Sequence, residues 1–220
     1  MAKLFSSKTV PPVIIIGLGR FGLALGEELV QAGVEVLGVD VDEATVTKAS
    51  SVITHAVIAE TTDPEALKQL GVDDAERVVI GIGSNMGASL LTASAVLDLG
   101  VKNVWAKADN DQHAKILTQI GVHHVVRPER DTGRRVAHLI AGHLQDYVEF
   151  DPDFALAKLA PPMHMIGRKV CDMPSGIVIV AVRHADRRFA TPDSNYVIQS
   201  GDLVIAAGTA KALDKFSESS

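Results

Sequence analysis

The chain has 220 residues, enough for a full α/β domain and a small second one, and its formal net charge of −6 gives no long-range attraction to nucleic acid or acidic lipid. Aromatic residues are only 4% of the total and do not alternate with basic ones, which excludes a stacking groove for single-stranded nucleic acid. A single cysteine, Cys171, cannot close an internal disulfide; with no signal-peptide pattern over 1–12 and no apolar run near the ~18 residues that span a bilayer, the expected compartment is the cytoplasm.

The first predicted element is an apolar strand over 13–17 that runs into a GxGxxG turn at Gly17, Gly19 and Gly22, with a helix behind it carrying Leu25, Leu29 and Ala32 on one face. Each glycine has a geometric task. Gly17 permits the tight turn, Gly19 lets backbone approach phosphate oxygens, and Gly22 allows the helix to pack closely on the strand. The helix N-terminal amides then face an anion. A second strand over 34–40 ends at Asp40, eighteen residues beyond Gly22, where a carboxylate is suited to ribose hydroxyls and repels a 2′-phosphate.

Further strands are predicted over 55–58, 77–81, 103–106 and 123–126, separated by helical patterns at Pro64 to Leu70, Leu90 to Leu97 and Ile116 to Ile120. Asp63 is a candidate N-cap before Pro64, and Gly33, Gly71, Gly100 and Gly121 each follow a helix as C′ residues. The repeating βα order predicts a doubly wound, Rossmann-like parallel sheet, with the ligand crevice at the carboxyl ends of its strands. A last helix of this part is expected over 131–145.

From Tyr147 the pattern changes to short β segments at 155–159, 177–184, 188–190 and 203–208, closed by a helix over 210–216. Asp186-Arg187 and Ser200-Gly201-Asp202 read as turns, and the end from 217 to 220 is expected to fray. The expected organisation is a nucleotide-binding domain over 1–146 and a small α+β lobe over 147–220. A lobe of this size calls for a partner surface, so self-association is expected.

The crevice lining follows from the strand ends. The glycine turn supplies Gly17, Gly19, Arg20, Phe21 and Gly22; the second strand supplies Asp40 and Asp42; the third is followed by Ala59 and Glu60 and the fourth by Gly81, Ile82 and Gly83; Lys107 follows the fifth, and Arg127, Glu129 and Arg130 the sixth. Arg20 reads either as a bidentate ligand of terminal phosphate oxygens or as a solvated helix-start arginine. Lys107 reads as a phosphate contact or as half of a surface ion pair. Asp42 reads as a ribose contact or, more simply, as the N-cap of the next helix.

Glu129 between Arg127 and Arg130 reads as a surface cluster or, near a polyphosphate, as a ligand of a bridging cation. Enzyme signatures are missing: there is no HExxH, no GxSxG elbow and no GxxxxGK[ST] loop, and the eight histidines are scattered. An NAD(H)-dependent oxidoreductase would need an acid/base over the nicotinamide and a substrate pocket, neither of which is evident. A redox-sensing repressor would need a DNA-reading module before the glycine turn, where only about a dozen residues stand.

VIIIGLGRFG, the Asp40 acid, HAVIAETTD at 55–63, NVWAKADN at 103–110 and RPERDTG at 127–133 together resemble the regulators of potassium conductance, and more narrowly the cytosolic Ktr-type subunits of bacterial potassium uptake systems. The similarity extends to Gly201-Asp202-Leu203-Val204 in the small lobe. It implies a non-catalytic ring gated by ATP or ADP, typically an octamer built from dimers; NAD or NADH stands beside it as the alternative ligand of the glycine turn. Such a ring docks on the cytoplasmic side of a membrane potassium transporter, and sodium stimulates some members.

The resemblance also implies that Lys107 contacts phosphate and that Glu129 holds a divalent ion, Mg2+ or Ca2+, between paired subunits. Some relatives bind cyclic di-AMP in the small lobe, and Ile177, Val178, Arg183 and Pro192 could supply such a surface here or be ordinary core-strand residues. Glu60, and Asp42 where an asparagine is common, depart from the family pattern.

Overall fold

The computed structural model describes residues 10–185 and 188–218. The Asp186-Arg187 turn and the last two residues of the expected frayed end lie outside them. The chain divides into two compact units, one ending at Pro128 and the other beginning at Glu129.

In the first unit, β1 (Val13–Ile16), α1 (Arg20–Gln31), β2 (Val36–Asp40), α2 (Glu43–Ala49), β3 (His55–Ile58), α3 (Pro64–Gln69), β4 (Arg77–Ile80), α4 (Met86–Asp98), β5 (Val104–Lys107), α5 (Asp111–Gln119) and β6 (His124–Val126) follow one another in strict βα alternation. The six strands are all parallel, in the order β3-β2-β1-β4-β5-β6. This is the expected doubly wound sheet, and its order reverses between β1 and β4, where such sheets open a ligand crevice.

β1 is apolar throughout because both of its faces are covered. Ile14 and Ile16 point into a core with Val78, Ile80 and Val104 of neighbouring strands and Leu67, Val96 and Leu117 of α3, α4 and α5. Val13 and Ile15 point the other way, into a core with Val36, Val46 and Ala49 and the inner side chains of α1. Ile15 and Ile16 are wholly buried, each worth ~1.5–3 kcal/mol of transfer free energy. Gly33, Gly71, Gly100 and Gly121 all take positive φ just after a helix, as expected for C′ positions.

The second unit contains most of α6 (Pro128–Ala141), then β7 (Leu144–Asp151), β8 (Phe154–Leu159), β9 (Ile177–His184), β10 (Asp202–Gly208) and α7 (Ala210–Glu218). Its sheet is antiparallel, ordered β7-β8-β10-β9. Leu213 and Phe216 of α7 join Leu159, Ile179 and Val204 in a separate core.

Three expectations change here. The helix ends at Ala141 rather than at 145, and Leu144 and Gln145 belong to β7, a strand the sequence reading missed. β7 carries register irregularities at Leu144/Asp146 and at Glu149/Asp151, so the alternation that marks a strand is broken twice. The segment 188–190 forms only an isolated bridge between Val182 and Ala190. The unit boundary falls between Pro128 and Glu129, ahead of the expected 146/147, because α6 is tied to β7 by Arg134–Glu149 and Arg135–Asp146 ion pairs of 2.8 and 2.6 Å.

Candidate functional site

The glycine turn between β1 and α1 is dictated by close backbone approach. Gly17 has φ +91°, and a Cβ there would lie 2.9 Å from the Ile82 amide nitrogen. A Cβ on Gly22 would lie 2.0 Å from the Gly17 carbonyl oxygen, so only glycine lets α1 start so near its strand. Gly81 is equally constrained, 2.8 Å from the same oxygen, and its amide donates to the Ile16 carbonyl at 2.7 Å.

Gly19 differs. A Cβ at this position would meet nothing within 4 Å, and the residue stands as the N-cap of α1 with no side chain to satisfy the first-turn amides. An open position over uncapped helix N–H groups is the arrangement that accepts an anion. Arg20, exposed, opens the helix beside it, while Phe21 is half-buried and packs against the core beneath α1 and α2.

Asp40 closes the other side of the turn. Its Oδ2 accepts from the Leu18 amide at 2.7 Å and its Oδ1 from the Asp42 amide at 3.0 Å. A carboxylate has about four lone-pair sites, so two amides fix its orientation and leave acceptor capacity for vicinal hydroxyls. The residue therefore suits a ribose while also tying β2 to the glycine turn.

Asp42 caps α2, accepting from the Thr45 amide at 2.7 Å. Hydrogen bonds from the Thr45 side chain and amide hold its carboxyl below the usual carboxylate range. Glu60 likewise folds onto its own loop, accepting from the Thr62 amide at 3.1 Å and hydroxyl at 2.8 Å, and these bonds lower its pKa. Both acids thus have local roles that the structure makes visible.

The turn after β4 brings Gly81, Ile82 and Gly83 against the glycine turn on one side and the end of β5 on the other. A Cβ on Gly83 would lie 2.6 Å from Asp109 Oδ1 and 3.0 Å from Lys107 Nζ. Lys107, whose side chain is 12% exposed, pairs with Asp109 at 3.3 Å. Arg127, leaving β6, pairs with Asp111. Each of these two cations at the sheet's carboxyl edge is matched by a carboxylate.

Asp109 and the residue beneath it, His113, were not singled out in the sequence, although Asp109 stands two positions after Lys107 in NVWAKADN. His113 is completely buried at the start of α5. Its Nδ1 accepts from the Asp109 amide at 3.4 Å. Burial lowers its pKa, opposed by the Asp109 charge.

Glu129 lies in the first turn of α6, within the second unit. Among the described residues, no group of three or more His, Cys, Asp or Glu side chains is gathered as a metal site. In the lobe, Ile177 is a core residue, Val178 is exposed, Arg183 lies 5.1 Å over the Phe189 ring, and Pro192 lines a small cavity with His184, Arg188 and Tyr196.

A doubly wound sheet with an uncapped glycine turn and an oriented carboxylate at the end of β2, followed by a small antiparallel lobe, defines a Rossmann-like fold of two-unit design. Residues 13–128 match the TrkA-N domain and residues 154–219 the TrkA-C domain. The chain is 35% identical over 207 residues to the Ktr system potassium uptake protein C of Bacillus subtilis (strain 168), covering 92% of this chain and 94% of that one. It is 33% identical over 201 residues to the Ktr system potassium uptake protein A of Vibrio alginolyticus, covering 88% and 90%.

The chain therefore belongs to the TrkA-N/TrkA-C family, the regulators of potassium conductance, among the Ktr potassium uptake subunits. Of solved structures, the GsuK RCK domain superposes with a TM-score of 0.65 at 17% identity over 96% of this chain, which spans 48% of that one. The GsuK channel bound to NAD superposes at 0.63 and 18% identity over 93% of this chain and 38% of the other. These confirm the fold. Among the described residues no helix is long and apolar enough to cross a membrane.

Proposed function

We propose that the chain is a non-catalytic subunit that binds an adenine nucleotide at the glycine turn and gates a membrane potassium transporter, working as a dimer-based homo-oligomeric ring, an octamer. The observation that carries this reading is the pairing of an open, uncapped Gly19 turn with a fixed Asp40 carboxylate, in a chain related over nine tenths of its length to potassium uptake proteins.

Adenosine is held by Asp40 at the ribose, the α1 amides receive the phosphates, and Arg20 is aligned with the terminal one. Lys107 adds positive charge once its carboxylate partner yields. A divalent ion, Mg2+ or Ca2+, held through Glu129 would bridge the ligand to a paired subunit. No protein nucleophile or acid/base pair is needed, because a ligand drives a transition only through its differential affinity for two states. Docking to the transporter places the chain at the cytoplasmic face of the cell membrane.

A second reading, NAD(H) sensing, is favoured by one observation. The Asp109 partner of Lys107 reduces the positive charge awaiting a triphosphate. The GsuK channel has been solved with NAD.

Thermal unfolding with ATP, ADP, NAD and NADH, each with and without Mg2+ or Ca2+, separates the two. Saturating ligand at ~100 Kd should add ~2.7 kcal/mol to the stability of the binding unit. We expect this for ATP and ADP; a rise confined to NADH, or none for adenylates, overturns the first reading. Arg20→Ala should weaken ATP by more than ADP, through a charge-assisted contact of ~1.5–3 kcal/mol, and equal losses would remove that role.

A further inference from the structure

Lys107 and Asp109 pair at the carboxyl end of β5, beside the turn that follows β4. The path is short and continuous: the Gly17 turn packs on Gly81 and Ile82, and the next residue, Gly83, lies under the Lys107 ammonium and the Asp109 carboxylate. Nothing larger than glycine fits at 83 without displacing one of the two charges, so the pair and the turn share one small space.

The Asp109 main chain is anchored. Its amide donates to His113 Nδ1, an imidazole with no exposure, and the next residue, Asn110, caps α5 through the His113 amide at 2.8 Å. This anchoring fixes where the side chain leaves the backbone, and the carboxylate, 37% exposed, turns toward Lys107. Lys107, mostly buried along its stem, has little freedom to turn away.

We propose that Asp109 is an internal anion occupying Lys107 when the crevice lacks a polyphosphate, so that an outer phosphate must take over the lysine from a carboxylate. Asp109 is then a specificity-determining residue: it weakens ligands in proportion to the negative charge they bring to this end of the site and leaves the adenosine and innermost phosphate untouched. This inference rests on the adenylate reading above.

The physical reason is exchange. An oxygen anion on the ligand gains a charge-assisted bond to Lys107 only after Asp109 gives it up, and the released carboxylate then repels the same phosphate across a few ångströms. Replacing aspartate by asparagine keeps the size and one acceptor while removing the charge.

The test is calorimetric titration of the full chain with ATP and AMP, in the wild type, Asp109→Asn, Lys107→Gln and the double variant. Thermal unfolding of each variant without ligand verifies folding. Asp109→Asn should tighten ATP about tenfold and change AMP less than twofold, and in the Lys107→Gln background the same exchange should change ATP less than twofold. Asp109→Glu, which keeps the charge, should bind ATP like the wild type.

The proposal is overturned if Asp109→Asn leaves ATP affinity unchanged or lowers it. It is equally overturned if ATP and AMP tighten alike, or if the gain survives without Lys107. A wild type that binds adenylates while showing any of these results keeps the proposed function and loses only the role of Asp109. A wild type that binds no adenylate removes both.

Discussion

Gly22 and Gly19 stand three residues apart in one turn and answer to opposite constraints. At Gly22 a methyl group would sit 2.0 Å from the Gly17 carbonyl oxygen, which is backbone tied to β2 through the Gly17 amide, 2.8 Å from the Val39 carbonyl, and cannot give way cheaply. Gly22→Ala is therefore expected to cost about 3 kcal/mol, at the upper end of the usual overpacking range, as measured by chemical denaturation. At Gly19 the backbone has φ −62°, comfortable for alanine, and the methyl would face open space. Gly19→Ala should change stability by less than about 0.5 kcal/mol and yet weaken adenylate binding at least tenfold in a titration, because the methyl occupies the approach to the α1 amides. Equal effects of the two variants on stability would contradict the assignment of Gly22 to packing and Gly19 to the ligand.

Asp202 shows how a single buried acid can organise an element. It is buried at the start of β10, 2.7 Å from His184 Nδ1 of β9, and it accepts from the Tyr196 hydroxyl at 3.0 Å and the Gln199 amide at 2.9 Å. Asp202→Ala removes the acceptor these groups share, and we expect a loss of about 1–3 kcal/mol from the lobe, the usual cost of a buried polar group left unpaired, read as an earlier unfolding transition; an unchanged transition would deny the network its structural role. Only its turn was legible in the sequence: Gly201-Asp202 reads as a turn, but His184 is joined to it by strand pairing and Tyr196 by its hydroxyl, which no local pattern encodes. The same line divides the nucleotide unit. The Asp63 cap and the C′ glycines could be read directly, since each meets a constraint set by its immediate neighbours, and the glycine turn and Asp40 by the spacing of a recurrent strand-turn-helix motif. The Lys107–Asp109 pair could not, since its significance depends on Gly83 arriving from another strand, and in the lobe neither could β7, whose register irregularities break the alternation.

At the scale of the molecule, the lobe leaves large apolar side chains at the surface. Ile140 on α6 is 81% exposed, Val178 on β9 is 64% exposed and Phe150 on β7 is 62% exposed, although α7 covers the buried side of that sheet. A contact between copies that covered these side chains would supply burial that a unit of this size lacks in its own core. The proposed ring gives such contacts a second role: a binding event acts only by shifting an equilibrium between states, and in a ring those states are arrangements shared by several copies. Sedimentation velocity of the wild type should show a multimer, and Val178→Glu or Ile140→Glu should shift it to smaller species, since a charge buried in an apolar contact costs several kcal/mol. If the contacts and the crevices are linked, the dissociated variant must bind ATP with altered affinity, because ligand and assembly change each other's free energies by the same amount. A wild type that sediments as a monomer at all ligand concentrations would remove the ring, and an oligomer whose dissociation left ATP affinity unchanged would show that assembly and nucleotide binding are uncoupled.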